Sequence, residues 1–280
     1  MAGSLGPRKP TNGLVYYVDF SNPNCYVSGS GYNDNVNLFN DLTKFTDGYK
    51  TGTGRLYAGA EWQSDKGGCA YFDGVNDHGI HDTVNTVINN RLGWASVTSS
   101  ETPIPDTDTV PMSTELTINL WFYNTVDSTI GYLLSKPWDG SGRYNWVVRE
   151  GGWLQVILYQ GATPFGTDTS ALQSSFLTNS VWQNRWLHLT YWISQTHIGF
   201  RFNYDEDFGS KTHTLAQTAH GAYNQRRGLV LGSVFAYGDA WGGGSQAVTG
   251  KIANLSIYNR VLTDKEMQQD FNATRGKFGV

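Results

Sequence analysis

The side chains in this sequence best suited to chemistry are its acids, its histidines and its loop tryptophans. Retaining cleavage of a glycosidic bond needs a nucleophile and an acid about 5 Å apart. Within one strand this requires carboxylates roughly two to four residues apart, since alternate side chains share a face. The glutamates are Glu61, Glu101, Glu115, Glu150, Glu206 and Glu266, and no two fall within one such run. Asp205-Glu206-Asp207 is acidic, but it stands at the exit of an expected strand, where a solvated turn accounts for it. The pattern argues against hydrolysis by that route, although acids from different strands could still converge.

Two further groups remain. Asp73, Asn76 and Asp77 crowd oxygen ligands into one tight loop, the donor type that calcium prefers. The same residues also suit an Asx turn, in which the side chains bond their own backbone, and this reading is favoured. His78 and His81 are three apart beside an expected strand, so they face opposite sides and do not suggest zinc. Trp138 with Asp139 and Arg143, and Tyr237, Asp239 and Trp241 in a glycine-rich loop, form the third group. Aromatic faces with a few polar neighbours are the chemistry of a sugar site. Aromatics of this kind also plug the ends of a sandwich or meet a neighbouring subunit.

These residues need a scaffold, and the sequence predicts one made of strands. Asn12 to Ser21 reads as a first strand: Val15, Tyr17 and Asp19 face one way, Leu14, Tyr16, Val18 and Phe20 the other. Asp19, at its end, is expected to be a turn partner rather than a catalyst. Asn22 to Tyr57 is loop-like, with Leu38–Leu42 as an apolar island that docks it. Gly67 to Ile80 reads as strand, turn, strand around Asp73-Gly74. Glu115 to Tyr123 alternates, with Leu116, Ile118, Leu120 and Phe122 on one face, which predicts a half-buried antiparallel strand. Further strands are expected at Gly131–Ser135, Tyr144–Arg149, Leu154–Tyr159, Trp186–Ser194, His197–Tyr204, Leu229–Val234 and Thr249–Tyr258. The pair around Gln195-Thr196 forms a hairpin. Trp121, Trp146, Trp186 and Trp192 fall within strands and are expected in the core. Thr263 with Glu266 makes a capping box, followed by an apolar stripe through Met267 and Phe271.

Bulk composition narrows the function classes. The chain has 280 residues, 39% hydrophobic and only 16% charged, with 33 glycines, which suits many short strands joined by tight turns. The net charge of −4 and the lack of a basic stripe argue against nucleic acid. Arg8-Lys9 and Arg226-Arg227 read as solvated surface pairs. Cys25 and Cys69 cannot build a disulfide framework; buried free thiols are expected, with one bridge possible if the fold brings them together. No apolar run reaches transmembrane length, so no membrane partner is expected. The opening decapeptide lacks the apolar region of a secretory signal.

Several motifs occur in order. Gly13-Leu14-Val15-Tyr16-Tyr17-Val18-Asp19 opens the domain. Tyr71-Phe72-Asp73-Gly74-Val75-Asn76-Asp77 and Leu116-Thr117-Ile118-Asn119-Leu120-Trp121-Phe122 follow, and the stretch from Gly250 to Thr263 closes it. Together they resemble the laminin-G-like, concanavalin A-like jelly-roll family. That resemblance implies an all-β fold: a two-sheet antiparallel jelly-roll sandwich with one short C-terminal helix. It would comprise an arm at 1–11, one domain over 12–274 with a loop insertion at 89–112, and a tail at 275–280. The opening through Ser21-Asn22-Pro23 and the ending Phe271 to Gly279 are similar to laminin-G-like structural proteins of tailed, especially marine, bacteriophages. This implies a non-enzymatic virion protein, a capsid decoration or fibre component, made in the host cytoplasm without a signal peptide. Its implied partners are other virion proteins, further copies of itself and possible host-surface polysaccharide; no cofactor is implied, with calcium the one open case. A lectin-like module or a divergent glycoside hydrolase is the alternative. In this family first and last strands commonly pair, so Asn12–Ser21 is expected beside Lys251–Tyr258, bringing arm and tail close together.

Overall fold

The computed structural model describes residues 8–26, 38–43, 53–81, 115–125, 131–137, 144–150, 154–159, 169–174, 184–204, 207–212, 229–235, 244–245 and 247–280. Its strands, in chain order, are β1 (Leu14–Asp19), β2 (Leu38–Asn40), β3 (Thr53–Tyr57), β4 (Glu61–Gln63), β5 (Cys69–Asp73), β6 (His78–His81), β7 (Leu116–Asn124), β8 (Gly131–Pro137) and β9 (Tyr144–Glu150). They continue with β10 (Leu154–Tyr159), β11 (Thr169–Ser174), β12 (Arg185–Ile193), β13 (His197–Phe202), β14 (Asp207–Thr212), β15 (Val230–Leu231), β16 (Val234–Phe235), β17 (Gly244–Ser245) and β18 (Thr249–Tyr258). One helix, α1 (Asp264–Phe278), follows.

Sixteen of the strands form two antiparallel sheets, and β16 and β17 pair as a separate two-stranded ribbon. The first runs β14-β13-β12-β7-β18-β5-β4, with β1 also paired to β18; the second runs β11-β10-β9-β8-β15-β6-β3-β2. Strand β18 is the keel of the first sheet. β7 lines one edge of it, while the other edge is shared between β5, at Thr249 to Ile252, and β1, at Asn254 to Tyr258. The expected pairing of first and last strands is therefore present, with Leu14 opposite Tyr258 and Asp19 opposite Asn254. The hairpin of β12 and β13 is present too.

Apolar alternation explains the core. Leu116, Ile118, Leu120 and Phe122 of β7 meet Leu187, Leu189 and Tyr191 of β12 and Leu255 and Ile257 of β18, and the second sheet contributes Phe39, Leu56, Leu134 and Leu231. Each such side chain contributes roughly 1.5–3 kcal/mol on burial. Contact between the sheets is close enough that a Cβ on Gly232, which holds φ +74, would lie 2.4 Å from the Phe72 ring. Only glycine fits there. The Asp73–Asp77 turn does not close a hairpin: β5 belongs to the first sheet and β6 to the second, so this turn is an arch between layers.

Several expectations need correction. The stretch from Asn22 to Tyr57 holds two strands, β2 and β3, and the apolar island is β2 itself, paired with β3. Its end does dock as expected, with the Leu42 amide donating to the Tyr17 carbonyl at 2.7 Å. Strands β11 and β14 come from runs without apolar alternation. β7 is not half-buried: its outward residues Thr117, Asn119 and Trp121 are as buried as its inward ones, with α1 over Trp121 and the Arg260–Leu262 segment bonded to Thr117. The helix runs to Phe278, through residues expected to be a tail, and stops where Gly279 turns left-handed at φ 79. Its start is as expected: Thr263 accepts from the Glu266 amide, and Glu266 returns the bond to the Thr263 amide at 2.9 Å. Cys25 and Cys69 are both buried and free.

Candidate functional site

The calcium candidates sit on the arch between the sheets. Asp73 accepts from the Val75 amide at 2.8 Å, and Asp77 accepts from the Asp73 amide at 2.8 Å. Two carboxylates thus bond the turn's own backbone, as the Asx reading requires. The second Asp77 oxygen has no partner among the described residues. It lies against Gly59, 2.8 Å from where a Cβ would be. Burial is the main reason the Asp77 carboxyl is pushed up to about 6, with the Asp73 charge adding to it. Among the described residues, no three His, Cys, Asp or Glu side chains gather around a common point. His78 beside this turn is buried, places Nδ1 2.8 Å from the Asn76 carbonyl and stacks on Tyr57. Burial lowers its pKa.

The glycan candidates Trp138, Asp139, Arg143, Tyr237, Asp239 and Trp241 all lie outside the described residues, as does the 89–112 insertion. Their flanking strands are described, however. Pro137 pairs with Tyr144 across the first loop, and β16 pairs with β17 across the second. β16 lies against β8, so both loops spring from the neighbourhood of one strand in the second sheet.

The outer face of the first sheet carries a polar cluster that sequence reasoning missed. Asp270 of α1 is fully buried, and its Oδ1 accepts from Lys9 Nζ at 2.6 Å. The Tyr258 hydroxyl stands 3.2 Å from the same oxygen and 3.1 Å from the Pro10 carbonyl. His188 Nε2 lies 3.5 Å from Oδ2, longer than a good hydrogen bond. Burial pushes the Asp270 carboxyl up, but the Lys9 charge and His188 outweigh it, leaving its pKa at about 2. Burial in turn keeps His188 below its ordinary value, despite Asp270. Lys9 also donates to Ser256 and lies over the Tyr17 ring, so it is not the solvated surface residue its sequence context suggested. One signal could have revealed Asp270: it falls at the i+3 position of the Met267 stripe, where a polar residue needs a partner.

Around that cluster Trp121 is sandwiched by the helix. Its ring stacks on Phe278 at 4.0 Å and on Phe271 at 5.9 Å, and its indole N–H donates to Thr274 at 2.8 Å. Trp121 and Trp186 are buried as expected, but under the helix rather than between the sheets. Asp19 serves its turn: it accepts from the Ser21 amide and hydroxyl at 3.0 and 2.6 Å. Glu266 is clasped by both terminal nitrogens of Arg260 at 2.6 and 2.8 Å, which holds its carboxyl at about 2. Sealed or structurally committed in this way, these acids serve as fastenings.

No family profile and no curated protein matches this sequence. Solved structures do match it. A structure described as showing that cell entry of botulinum neurotoxin type C depends upon interaction with two ganglioside molecules superposes with a TM-score of 0.59 at 12% identity, over 93% of this chain and 51% of that one. The binding domain of botulinum neurotoxin DC in complex with SialylT gives 0.56 at 11% identity, again over 93% and 51%. The receptor-binding domain of the C/D mosaic serotype gives 0.57 at 11% identity, over 92% and 51%. The likeness establishes the fold, an all-β sandwich. The chain spans about half the length of these structures.

Proposed function

We propose that this chain is a non-enzymatic recognition module that binds carbohydrate through the loops on the second sheet and serves as a virion surface protein. The observation that carries the carbohydrate part is the shared fold, over 93% of the chain, with binding domains whose descriptions name a ganglioside and SialylT. Fold likeness alone does not transfer a ligand, and the loop aromatics supply the chemistry. Trp138 and Trp241 offer ring faces to a sugar, and Asp139, Arg143 and Asp239 offer hydrogen bonds to its hydroxyls. The architecture supports a division of labour. Helix α1 and residues 8–11 occupy the outer face of the first sheet, while the strands that flank the loops are β8 and β9 of the second sheet and the β16–β17 ribbon beside β8. The virion placement rests on the sequence resemblance of the opening and ending to phage structural proteins.

Two measurements test the two parts. Glycan-array binding by the purified protein, lost in Trp138→Ala and Trp241→Ala, supports the recognition role; a blank array refutes it. Mass spectrometry of purified particles should find the chain, and its absence from virions ends the structural reading.

A further inference from the structure

Beside α1 the surface opens into a cavity of about 360 Å³, within the size range of small-molecule sites. One wall is the turn that leaves β13, at Asn203 and Tyr204; the other is a helix stripe of Gln268, Phe271, Asn272 and Arg275, with Val280 at the lip. It lies on the first sheet's side, whereas the strands that flank the loops discussed above are β8 and β9 of the second sheet and the β16–β17 ribbon.

The turn is held in a costly conformation. Asn203 and Tyr204 are consecutive non-glycine residues at φ 43 and 66, the left-handed region that side chains avoid. Asn203 is pinned there by β12. Its amide donates to the His188 carbonyl at 2.9 Å, and its side-chain oxygen accepts from the His188 amide at 2.9 Å. The asparagine side chain thus continues the ladder that the backbone has left. This frees the chain to swing Tyr204 across to the helix, where the Arg201 guanidinium lies 5.3 Å from its ring. Strain of this kind is maintained only where surrounding contacts over-determine it, and it concentrates at ligand sites.

The lining has a specific chemistry. Tyr204 contributes aromatic surface, and the largely buried Phe271 forms part of the wall beneath Arg275. The amides of Gln268 and Asn272 take no hydrogen bond among the described residues, and an amide presents a donor and an acceptor side by side, as vicinal hydroxyls require. Among the described residues lining the cavity, Arg275 is the one with a charged side chain. It is exposed, has no ion-pair partner among the described residues, and rests over the Phe271 ring at 5.9 Å. The neighbouring cations are committed elsewhere, Arg201 to Asp264 at 2.8 Å and Lys277 toward Asp19 at 3.5 Å. A planar guanidinium fork matches a carboxylate. From this lining we infer that the cavity is a second saccharide site, selective for a sugar unit bearing a carboxylate. The inference rests on the carbohydrate reading above but not on its loops.

Calorimetric titration of the purified chain tests it, with 3′-sialyllactose and a galacturonic acid tetrasaccharide as acidic probes and lactose as the neutral control. Arg275→Gln, on the exposed side of the helix, should weaken binding of the acidic probes by roughly 10-fold or more. Lactose should be unaffected, and Arg275→Lys should restore only part of the loss. Helical circular dichroism should be unchanged in both. If Arg275→Gln binds the acidic probes like the parent while Trp241→Ala abolishes binding, the cavity is refuted and the loop reading stands. If the parent binds no saccharide at all, both readings fall.

Discussion

Replacing Lys9 by methionine isolates the energetics of the buried fastening. The substitution keeps most of the aliphatic stem and removes the charge that lies 2.6 Å from Asp270. A carboxyl held at about 2, below the ordinary carboxylate range, contributes on the order of 2–3 kcal/mol at neutral pH. Its pKa is depressed on folding, so this stability is present above about pH 4 and is lost as the pH falls toward 2. Without Lys9 the order reverses. Burial then dominates, the folded pKa rises above the unfolded one, and the ionised acid becomes a penalty that grows as the pH rises. An uncompensated buried charge costs about 3–5 kcal/mol. Urea unfolding should therefore show Lys9→Met destabilised by about 3 kcal/mol at pH 7 and by clearly less at pH 4.5. Adding Asp270→Asn to Lys9→Met should recover much of the loss, the signature of a coupled pair. A single-variant penalty below about 0.5 kcal/mol, or one independent of pH, would refute the reasoning.

Two other predictions concern the arch and the helix end. Asp77, raised to about 6, works in the opposite sense: its contribution is full in acid and is lost as the pH rises through 6. Asp77→Asn should flatten this decline in thermal melts between about pH 4 and 7. A calcium-dependent rise in the melting temperature of the parent that the variant lacks would instead establish the cation reading of Asp73, Asn76 and Asp77. Phe278→Ala removes the ring stacked on Trp121 and should cost about 3–5 kcal/mol in urea unfolding, with a red-shifted tryptophan emission; a change under about 1 kcal/mol would mean the last helical turn is not fastened there.

What could be read from the sequence followed a physical divide. β7 and β18 were legible because β-branched and aromatic residues alternate along them, whereas the pairing of β1 with β18 was expected only from the family resemblance. Strands β3, β11 and β14, with sequences TGRLY, TSALQS and DFGSKT, carry little apolar pattern. Their pairing to neighbours, rather than their own propensity, makes them strands. The helix was underestimated because residues 275–280 were expected to be a tail, whereas packing of Phe278 outweighs the roughly 1 kcal/mol that a helical glycine such as Gly276 costs. The Lys9–Asp270 pair was invisible because its members stand 261 residues apart, and no local pattern reports such a contact. Among the proposed ligand residues, only the Asp73–Asp77 turn could be placed, and its local hydrogen bonding was the part that composition announced.

The position of β18 has a consequence for how the chain comes to be folded. The strands flanking it, β1, β5 and β7, are all made long before it, and each waits with an unpaired edge until β18 emerges from the ribosome. Bare edges of that kind invite pairing with other chains, and contacts between distant parts of a sequence form slowly. Completion of the first sheet thus waits on β18, which inserts between strands already present, with α1 directly behind it. The growing chain is most exposed to aggregation just before that point, and a truncation that removed β18 would leave three strand edges without a partner.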